Sequence, residues 1–437
     1  MSNLPCDLLL TAPWLLPEGG AQAIPNAAVA ITGGRIKAVG QQAELVAQYQ
    51  PNERTDLPRH LLMPGFVNAH CHGAMTLLKG LGEGLSLMPW LETAVWPAEQ
   101  QLVSAEFVSL GVDLALLEMI ENGVTSFSDM YFFPAVTAAR ASAAGVRCQI
   151  AGPIIDGANA WSKSGDDSLG QVLALFDEWR HDPLVSIALG PHSAYALSWP
   201  MLEKVQMYAD ELDAGVHIHL HENAEEVAGA QRSRGSSWIA ALDELGMLNP
   251  RLQAVHLTTV TEAEIELLGE RRINAVHCPH SNLKLASGIS PIERLTAAGV
   301  NVALGTDGAL SNNTLDVLGE ARLATLLGRH LSADATSPSA AQALAMACHQ
   351  GAAALGLADL GRLAVEQHAD VVAFDLQHPA LMPLRDPVNQ LLHAGGNLQA
   401  SDVWVAGQAL LIGGVHQTLD REGILTRVKR WHGTMQR

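Results

Sequence analysis

Two histidines stand two residues apart behind an apolar run near the start of the chain. The run indicates a buried strand over residues 62–70, which ends in the segment His70-Cys71-His72. Because successive side chains of a strand point to opposite faces, His70 and His72 would face the same way. Two adjacent imidazoles at a strand end make half of a metal site. One packed histidine and one loop histidine would give the same spacing, so the interpretation depends on ligands elsewhere.

Other predicted strands also carry ionisable side chains at their carboxyl ends. The eight strand-like segments are 62–70, 124–130, 147–155, 185–191, 215–221, 252–258, 273–278 and 301–306. The ionisable residues at or just after their ends are His70, His72, Asp129, His192, His219, Glu222, His256, His277 and Asp307. Packing alone seldom places ionisable groups at the ends of seven strands out of eight. Such groups converging on one cleft are typical of an active site.

Helical stretches separate these strands, for example at residues 105–120 and 199–212. Alternation of strands and helices predicts a parallel sheet. Eight such units fit a (β/α)₈ barrel of the TIM type, in which the carboxyl ends of the strands surround the active site. An open, doubly wound sheet is the structural alternative.

Short strand-like segments flank the predicted barrel on both sides. Residues 5–60 contain several such segments, with a hairpin turn expected at Gly33-Gly34. Similar strand-like segments occur again after about residue 362. A closing helix is expected at 424–436. We therefore predict an α/β protein in which residues 62–364 form the barrel. Residues 1–61 and 365–437 would form a small discontinuous β-sandwich domain from both chain termini.

The composition excludes several classes of protein. With 48% hydrophobic and 16% charged residues, the 437-residue chain can form a large globular core. Its net charge of −19 argues against a nucleic-acid partner and against an anionic membrane surface. The five cysteines are scattered, and neither a basic leader nor an apolar run of about 18 residues is present. We expect a cytoplasmic protein without disulfides.

Three histidines and a carboxylate suit a divalent metal ion that activates water. Zinc matches imidazole and carboxylate ligands best, with Fe²⁺ and Mn²⁺ as competitors. The fifth predicted strand offers His217, His219 and His221 on one face. Their spacing does not choose among them.

Several of these motifs together resemble the metal-dependent amidohydrolase superfamily. They are His70-x-His72, His219-x-x-Glu222, His256 and the segment Thr306-Asp307-Gly-Ala-Leu-Ser-Asn-Asn313. The branch that the chain resembles most is that of 5-methylthioadenosine/S-adenosylhomocysteine deaminases and chlorohydrolase-like relatives. Its cues include Trp96-Pro-Ala-Glu99, Asp129-Met-Tyr-Phe, Gly190-Pro-His192-Ser and Ser281-Asn-Leu-Lys-Leu-Ala-Ser-Gly288. The resemblance runs the whole length of the chain.

The resemblance implies a role for each of the main polar residues. The metal ligands would be His70, His72, His219 and Asp307. A single metal ion per chain is expected, because Gly190-Pro-His192-Ser lacks the bridging lysine of binuclear members. Asp307 would take a proton from the attacking water, and His256 would hydrogen-bond that water or the developing oxyanion. Glu222 would protonate a ring nitrogen of the substrate.

The implied reaction is hydrolytic deamination of a small 6-aminopurine nucleoside. Glu99 would accept hydrogen bonds from two ribose hydroxyls, and His192 would bond a purine nitrogen. Trp90 and Trp96 would line an apolar pocket for the thiomethyl or adenine group. His277 would be a further substrate contact. Without the resemblance, Glu99 is an ordinary helix-start residue and His192 a core histidine.

Two features depart from the branch pattern. Residues 151–163 contain no arginine, so methylthioadenosine or adenosine is expected in preference to S-adenosylhomocysteine, whose amino-acid tail calls for a guanidinium group. Cys71 lies between two expected ligands, but strand alternation turns it away from them. We interpret Cys71 as a packing residue.

Two rival functions remain. One is a guanine or 8-oxoguanine deaminase, or a triazine hydrolase, on the same scaffold, and Glu99 distinguishes it because a free base has no ribose. The other is a catalytically inactive structural relative, which should lack one or more of the ligands present here. Dimers are common among relatives, an analogy that leaves a homodimer open.

Overall fold

The computed structural model describes residues 4–435, and its strands form two sheets. The strands in chain order are β1 (Leu4–Leu15), β2 (Ile24–Thr32), β3 (Arg35–Gln41), β4 (Tyr49–Asp56), β5 (His60–Pro64), β6 (Phe66–Cys71), β7 (Val124–Asp129), β8 (Arg147–Ile154), β9 (Val185–Pro191), β10 (Val216–Leu220), β11 (Leu252–His256), β12 (Asn274–His277), β13 (Asn301–Leu304), β14 (Val371–Asp375), β15 (Asp402–Val405), β16 (Gln408–Ile412) and β17 (Val415–His416). Residues 1–3 and 436–437, which belong to the predicted end segments and the closing helix, lie outside the described residues.

Helices occupy most of the connections between the strands. They are α1 (Gln42–Gln48), α2 (Leu87–Trp90), α3 (Trp96–Leu102), α4 (Ala105–Glu121), α5 (Pro134–Ala144), α6 (Gly165–Glu178), α7 (Trp199–Glu211), α8 (Ala224–Arg234), α9 (Trp238–Glu244), α10 (Glu262–Glu270), α11 (Pro279–Lys284), α12 (Ile292–Ala297), α13 (Ala309–Asn312), α14 (Val317–Ser332), α15 (Ala340–Ala347), α16 (His349–Ala354), α17 (Pro387–Ala394) and α18 (Arg421–Met435). Ser104, Thr261 and Ser339 cap the first turns of α4, α10 and α15 by accepting a backbone N–H bond. Among residues 4–435, no helix is both long and apolar enough to cross a membrane.

The strands β6 to β13 form one parallel sheet in which each strand lies beside the next in sequence. The two ends of this sheet meet, because the Asp307 N–H donates to the His70 carbonyl at 3.0 Å. Gly305 permits the approach, since a Cβ there would lie 2.8 Å from the Cβ of His70. The predicted (β/α)₈ barrel, here nearly closed, is confirmed, and the open sheet is excluded.

The second sheet is mixed and contains β1–β5 and β14–β17. The two glycines of the β2–β3 turn, Gly33 and Gly34, have φ values of +59° and +73°, as the expected hairpin requires. Strands from both ends of the chain share one apolar cluster, to which Val29, Val371 and Trp404 contribute. Both chain termini therefore build one unit beside the barrel, as predicted.

The predicted strand 62–70 is wrong as a single element. His60–Pro64 pairs with β1 and β14 in the mixed sheet, whereas Phe66–Cys71 is the first barrel strand. The apolar run is buried on both sides of Gly65, so its composition does not show that it crosses between sheets. We propose Gly65, rather than residue 61, as the boundary between the first end segment and the barrel.

Candidate active site

Four side chains meet at the carboxyl ends of the barrel strands. His70 and His72 come from the end of β6, His219 from β10, and Asp307 follows β13. One nitrogen or oxygen from each lies within 4.8 Å of the others. The Asp307 Oδ1 atom is 3.3 Å from Nε2 of His70 and 3.2 Å from Nε2 of His72. The Nε2 atoms of His70 and His219 are 3.2 Å apart.

The second ring nitrogens of two of these histidines are engaged by backbone carbonyls. Nδ1 of His72 contacts the Met130 carbonyl, and Nδ1 of His219 lies 2.6 Å from the His192 carbonyl. A carbonyl can only accept, so each Nδ1 carries a proton, and in the neutral imidazole each Nε2 presents a lone pair to the cluster. This arrangement of imidazoles and one carboxylate fits a divalent metal ion.

Asp307 is held by its own loop and by α11. Its Oδ2 atom accepts hydrogen bonds from Ser281 at 2.5 Å and Ser311 at 2.9 Å, and its Oδ1 accepts from the Gly308 N–H. Burial disfavours its carboxylate, but the adjoining imidazoles of His70 and His72 outweigh burial and hold the pKa of Asp307 well below its usual range. Asp307 is therefore ionised and oriented towards the histidines.

The structure separates the three histidines of β10 and its end. His219 joins the cluster, whereas His217, two residues earlier, lies beneath it against His70. His221 has left the strand with a φ of +52°, and its Nδ1 bonds the Thr259 carbonyl at 2.9 Å.

Glu222 and His256 lie beside this cluster and face one cavity. The Oε2 atom of Glu222 is 3.8 Å from Nε2 of His256. Burial, together with the charges of Asp307 and Glu226, raises the pKa of Glu222 well above its usual range. Glu222 can therefore hold a proton at neutral pH. Burial also lowers the pKa of His256 to about 4, and Asn282 lies 2.9 Å from its Nδ1.

The cavity has a volume of about 680 Å³, and most of the predicted substrate residues line it. Glu99 lies in its wall and accepts a hydrogen bond from the Tyr131 hydroxyl at 2.8 Å. Burial raises the pKa of Glu99 to about 7, although that hydrogen bond opposes the shift. Burial lowers the pKa of His192, also in the wall, to about 4, so its imidazole is neutral.

The remaining wall is largely apolar. Trp90 is buried there, and Trp96 lies at the wall with about half of its surface exposed. The loop after β8 contributes residues such as Ile155 and Asn159. Among the described residues, no lysine or arginine lines this cavity.

Two strand-end residues lie outside the cavity wall. His277 is buried, and neither of its ring nitrogens has a hydrogen-bond partner among the described residues. Asp129 instead supports the loop after β6, since its Oδ1 accepts the Gly73 N–H at 2.6 Å and a weak bond from the thiol of Cys71 at 3.7 Å. The Cys71 thiol thus points away from the histidine cluster, as strand alternation predicts.

The profile of the Amidohydrolase family matches residues 61–410, which span the whole barrel and part of the mixed sheet. The chain belongs to the amidohydrolase family.

This amidohydrolase is also similar to three individual proteins, one compared by sequence and two by structure. A 5-methylthioadenosine/S-adenosylhomocysteine deaminase of Teredinibacter turnerae is 41% identical over 427 residues, 97% of each chain. An adenosine deaminase from Xanthomonas campestris, solved with bound zinc, matches with a TM-score of 0.97 and 41% identity over all of both chains. An atrazine chlorohydrolase from Arthrobacter aurescens TC1, complexed with zinc, has a TM-score of 0.90 over 97% of this chain and 99% of its own. At 24% identity, that last likeness shows the fold alone.

Three supporting residues of this amidohydrolase were not predicted as site residues. Tyr131 follows β7 and bonds Glu99, while Ser281 and Ser311 bond Asp307. Both serines lie in segments that already carried the resemblance, so those segments were a usable signal. Tyr131 lies in the segment Asp129-Met-Tyr-Phe, which also carried the resemblance, but its contact with Glu99 depends on how the segment after β6 folds over the barrel.

Proposed function

We propose that this amidohydrolase is a zinc-dependent hydrolytic deaminase that converts 5′-methylthioadenosine to its inosine analogue and ammonia. One observation carries the proposal. Three members of a metal-fitting cluster (His72, His219 and Asp307), a buried carboxyl that can hold a proton and a partly buried Glu99 all line one cavity large enough for a nucleoside. The names of the full-length relatives support the same reaction.

The candidate metal ligands are His70, His72, His219 and Asp307. Three imidazoles and a carboxylate match zinc, which the solved adenosine deaminase also holds. When bound, such an ion lowers the pKa of a coordinated water towards about 7 and makes it a nucleophile at neutral pH. The Nε2 lone pairs of the three histidines and the Asp307 carboxylate are positioned to bind it.

Asp307, Glu222 and His256 would move or hold the protons. Asp307, ionised at neutral pH, accepts the proton of the water that adds to the purine carbon bearing the amine. Glu222 donates its proton to the adjacent ring nitrogen, which lets the ring accept the electron pair. The proton from Asp307 then reaches the departing amine with help from the ionised Glu222, and the C–N bond breaks to release ammonia. The added hydroxyl becomes the product carbonyl, and its proton restores Glu222. If the Asn282 amide donates to Nδ1, the Nε2–H of His256 faces the new oxygen and stabilises its developing charge.

Glu99 and His192 would orient the nucleoside. The Glu99 carboxylate can accept from both ribose hydroxyls while Tyr131 fixes its Oε1 atom. The neutral imidazole of His192 can hydrogen-bond a purine nitrogen.

The cavity wall favours a substrate without an ionised tail. Apolar side chains, among them Leu87, Trp90 and Phe132, suit a thiomethyl group, and within residues 4–435 no lysine or arginine lines the wall to pair with a carboxylate. Methylthioadenosine and adenosine are therefore preferred over S-adenosylhomocysteine in this proposal.

A substrate panel with ammonia release as the readout tests the function. Protein of measured metal content is assayed with methylthioadenosine, S-adenosylhomocysteine, adenosine, guanine and a chlorotriazine. Highest kcat/KM for methylthioadenosine supports the proposal. Preference for guanine or the triazine refutes the nucleoside assignment but leaves the metal site intact, and a metal-free, inactive protein would point to a structural relative.

A further inference from the structure

His70 is the one candidate ligand whose second ring nitrogen meets another imidazole. Its Nδ1 lies 2.8 Å from Nε2 of His217, and the two rings are stacked with centroids 5.0 Å apart. Both side chains are buried in the barrel interior. Unlike a backbone carbonyl, an imidazole nitrogen can donate or accept, so this contact alone leaves the tautomer of His70 undetermined.

The partners of His217 decide the direction of that hydrogen bond. Its Nδ1 lies 2.6 Å from Oε1 of Gln253, an atom that can only accept. The Ser128 hydroxyl oxygen also faces Nδ1, at 3.5 Å. Since Nδ1 of His217 donates, its Nε2 carries a lone pair and accepts from Nδ1–H of His70. The Nε2 atom of His70 is then free of a proton.

A second amide holds Ser128 in the required orientation. The Ser128 hydroxyl donates to Oε1 of Gln149 at 3.0 Å, so only its lone pairs face His217. The Gln149 amide is itself oriented, because its Nε2 donates to the Leu355 carbonyl at 3.2 Å. Reversal of the Gln253 amide would place a proton on Nε2 of His70, where it would point at Asp307 and His219. Ser128 and Gln149 oppose that reversal.

We propose that His217 and Gln253 are positioning residues that fix His70 as the tautomer able to bind a metal through Nε2. The inference rests on the metal site of the proposed function. His217, on β10, links His70 on the first barrel strand to Gln253 on β11. Residues of three strands therefore orient the His70 ring. Residues that orient ligands in this way typically contribute about 10–100-fold to metal affinity.

Zinc affinity of the full-length protein tests the role of Gln253. Apo-protein is titrated with Zn²⁺ against a competing chromophoric chelator for the wild type, Gln253→Leu and Gln253→Glu. Leucine removes the acceptor, whereas glutamate keeps one, so we expect the Kd to rise about 10–100-fold in Q253L and to stay within about threefold of wild type, or fall, in Q253E. Gln206→Leu, on α7, is the matched control, because Gln206 is also buried, and in the described part of the chain its side chain bonds Asp210 and no metal ligand. An unchanged Kd in Q253L, or an equal rise in Q253L and Q253E, overturns the proposal.

Histidine tautomers in the wild type provide a test that needs no variant to fold. Two-bond ¹H–¹⁵N correlation spectra of ¹⁵N-histidine-labelled, zinc-loaded protein should show His217 and His70 protonated at Nδ1. A proton on Nε2 of His217 overturns the proposal. Wild-type protein that binds no zinc refutes the ligand set and this inference together. Zinc binding without deamination refutes the proposed substrate and leaves this inference intact.

Discussion

Replacement of Glu222 by glutamine separates proton transfer from every other contribution of this side chain. Glu222 lines the cavity, and burial raises its pKa well above its usual range, which favours the protonated carboxyl. Glutamine has nearly the same shape and can still donate an N–H bond to the ring nitrogen. It has no transferable proton, so the substitution removes general acid catalysis and little else.

The size of the effect follows from that chemistry. A positioned general acid or base contributes about 10²–10⁴-fold, which is about 2.7–5.5 kcal/mol of activation free energy at 1.36 kcal/mol per tenfold. Glu222 is not one of the four residues in the candidate metal cluster, so E222Q should keep the metal content of the wild type. We expect kcat for methylthioadenosine to fall by about 10²–10⁴-fold with a small change in KM.

Ammonia release under saturating substrate, with metal content measured on the same samples, is the assay. Glu225→Gln is the matched control, because the Glu225 side chain is exposed and pairs with Arg232 on the surface. E225Q should retain wild-type activity. If E222Q turns over within about tenfold of the wild type, Glu222 is not the general acid. If E222Q loses its metal, any loss of rate no longer reports proton transfer.

Three further outcomes are expected. Glu99→Ala should lower kcat/KM for nucleosides by about 10–10²-fold, because a charged acceptor is lost, and it should leave kcat/KM for a free base unchanged. Glu92→Ala, on the exposed neighbouring turn, should change kcat/KM for neither kind of substrate. The Glu99 carboxyl, with a pKa of about 7, is neutral below and ionised above that pH, so KM should rise as pH falls from 8.5 to about 5.5, and Glu99→Gln should abolish the trend. Arg147→Met, which leaves Asp370 buried without its 2.9 Å ion-pair partner, should lower the free energy of unfolding in urea by about 3–5 kcal/mol, against less than about 1 kcal/mol for the exposed Arg180→Met.

The barrel was predictable because its signal is repeated along the chain. Eight apolar segments separated by helical ones admit few topologies, and the strands lie side by side in sequence order. The exception was the crossing at Gly65, where both flanking strands are fully buried. Complete burial removes the alternation that would show which face, and therefore which sheet, a residue belongs to.

The site was predictable as a set of residue types and less so as a set of contacts. Alternation correctly placed His217 and His219 on one face, but it could not reveal which of the two lies level with the other ligands. His217 contacts His70 beneath the cluster, whereas His219 lines the cavity. Depth depends on the stagger between neighbouring strands, which is a property of the closed barrel and not of any single segment.

The raised pKa of Glu222 could not be predicted from the sequence, because it depends on contacts that form only in the folded chain. Sequence spacing places Glu222 three residues after a candidate ligand, which suggests a role but gives no protonation state. The raised pKa comes from burial first and then from two carboxylates, of which Asp307 is 85 residues distant in sequence. The Glu226 carboxylate is fixed beside Glu222 because it accepts the backbone N–H groups of His221 and Glu222 at 3.1 and 2.7 Å. A protonated acid therefore stands beside an ionised base, Asp307, because the fold brings separate segments together around one cavity, and that pairing is what hydrolytic deamination requires.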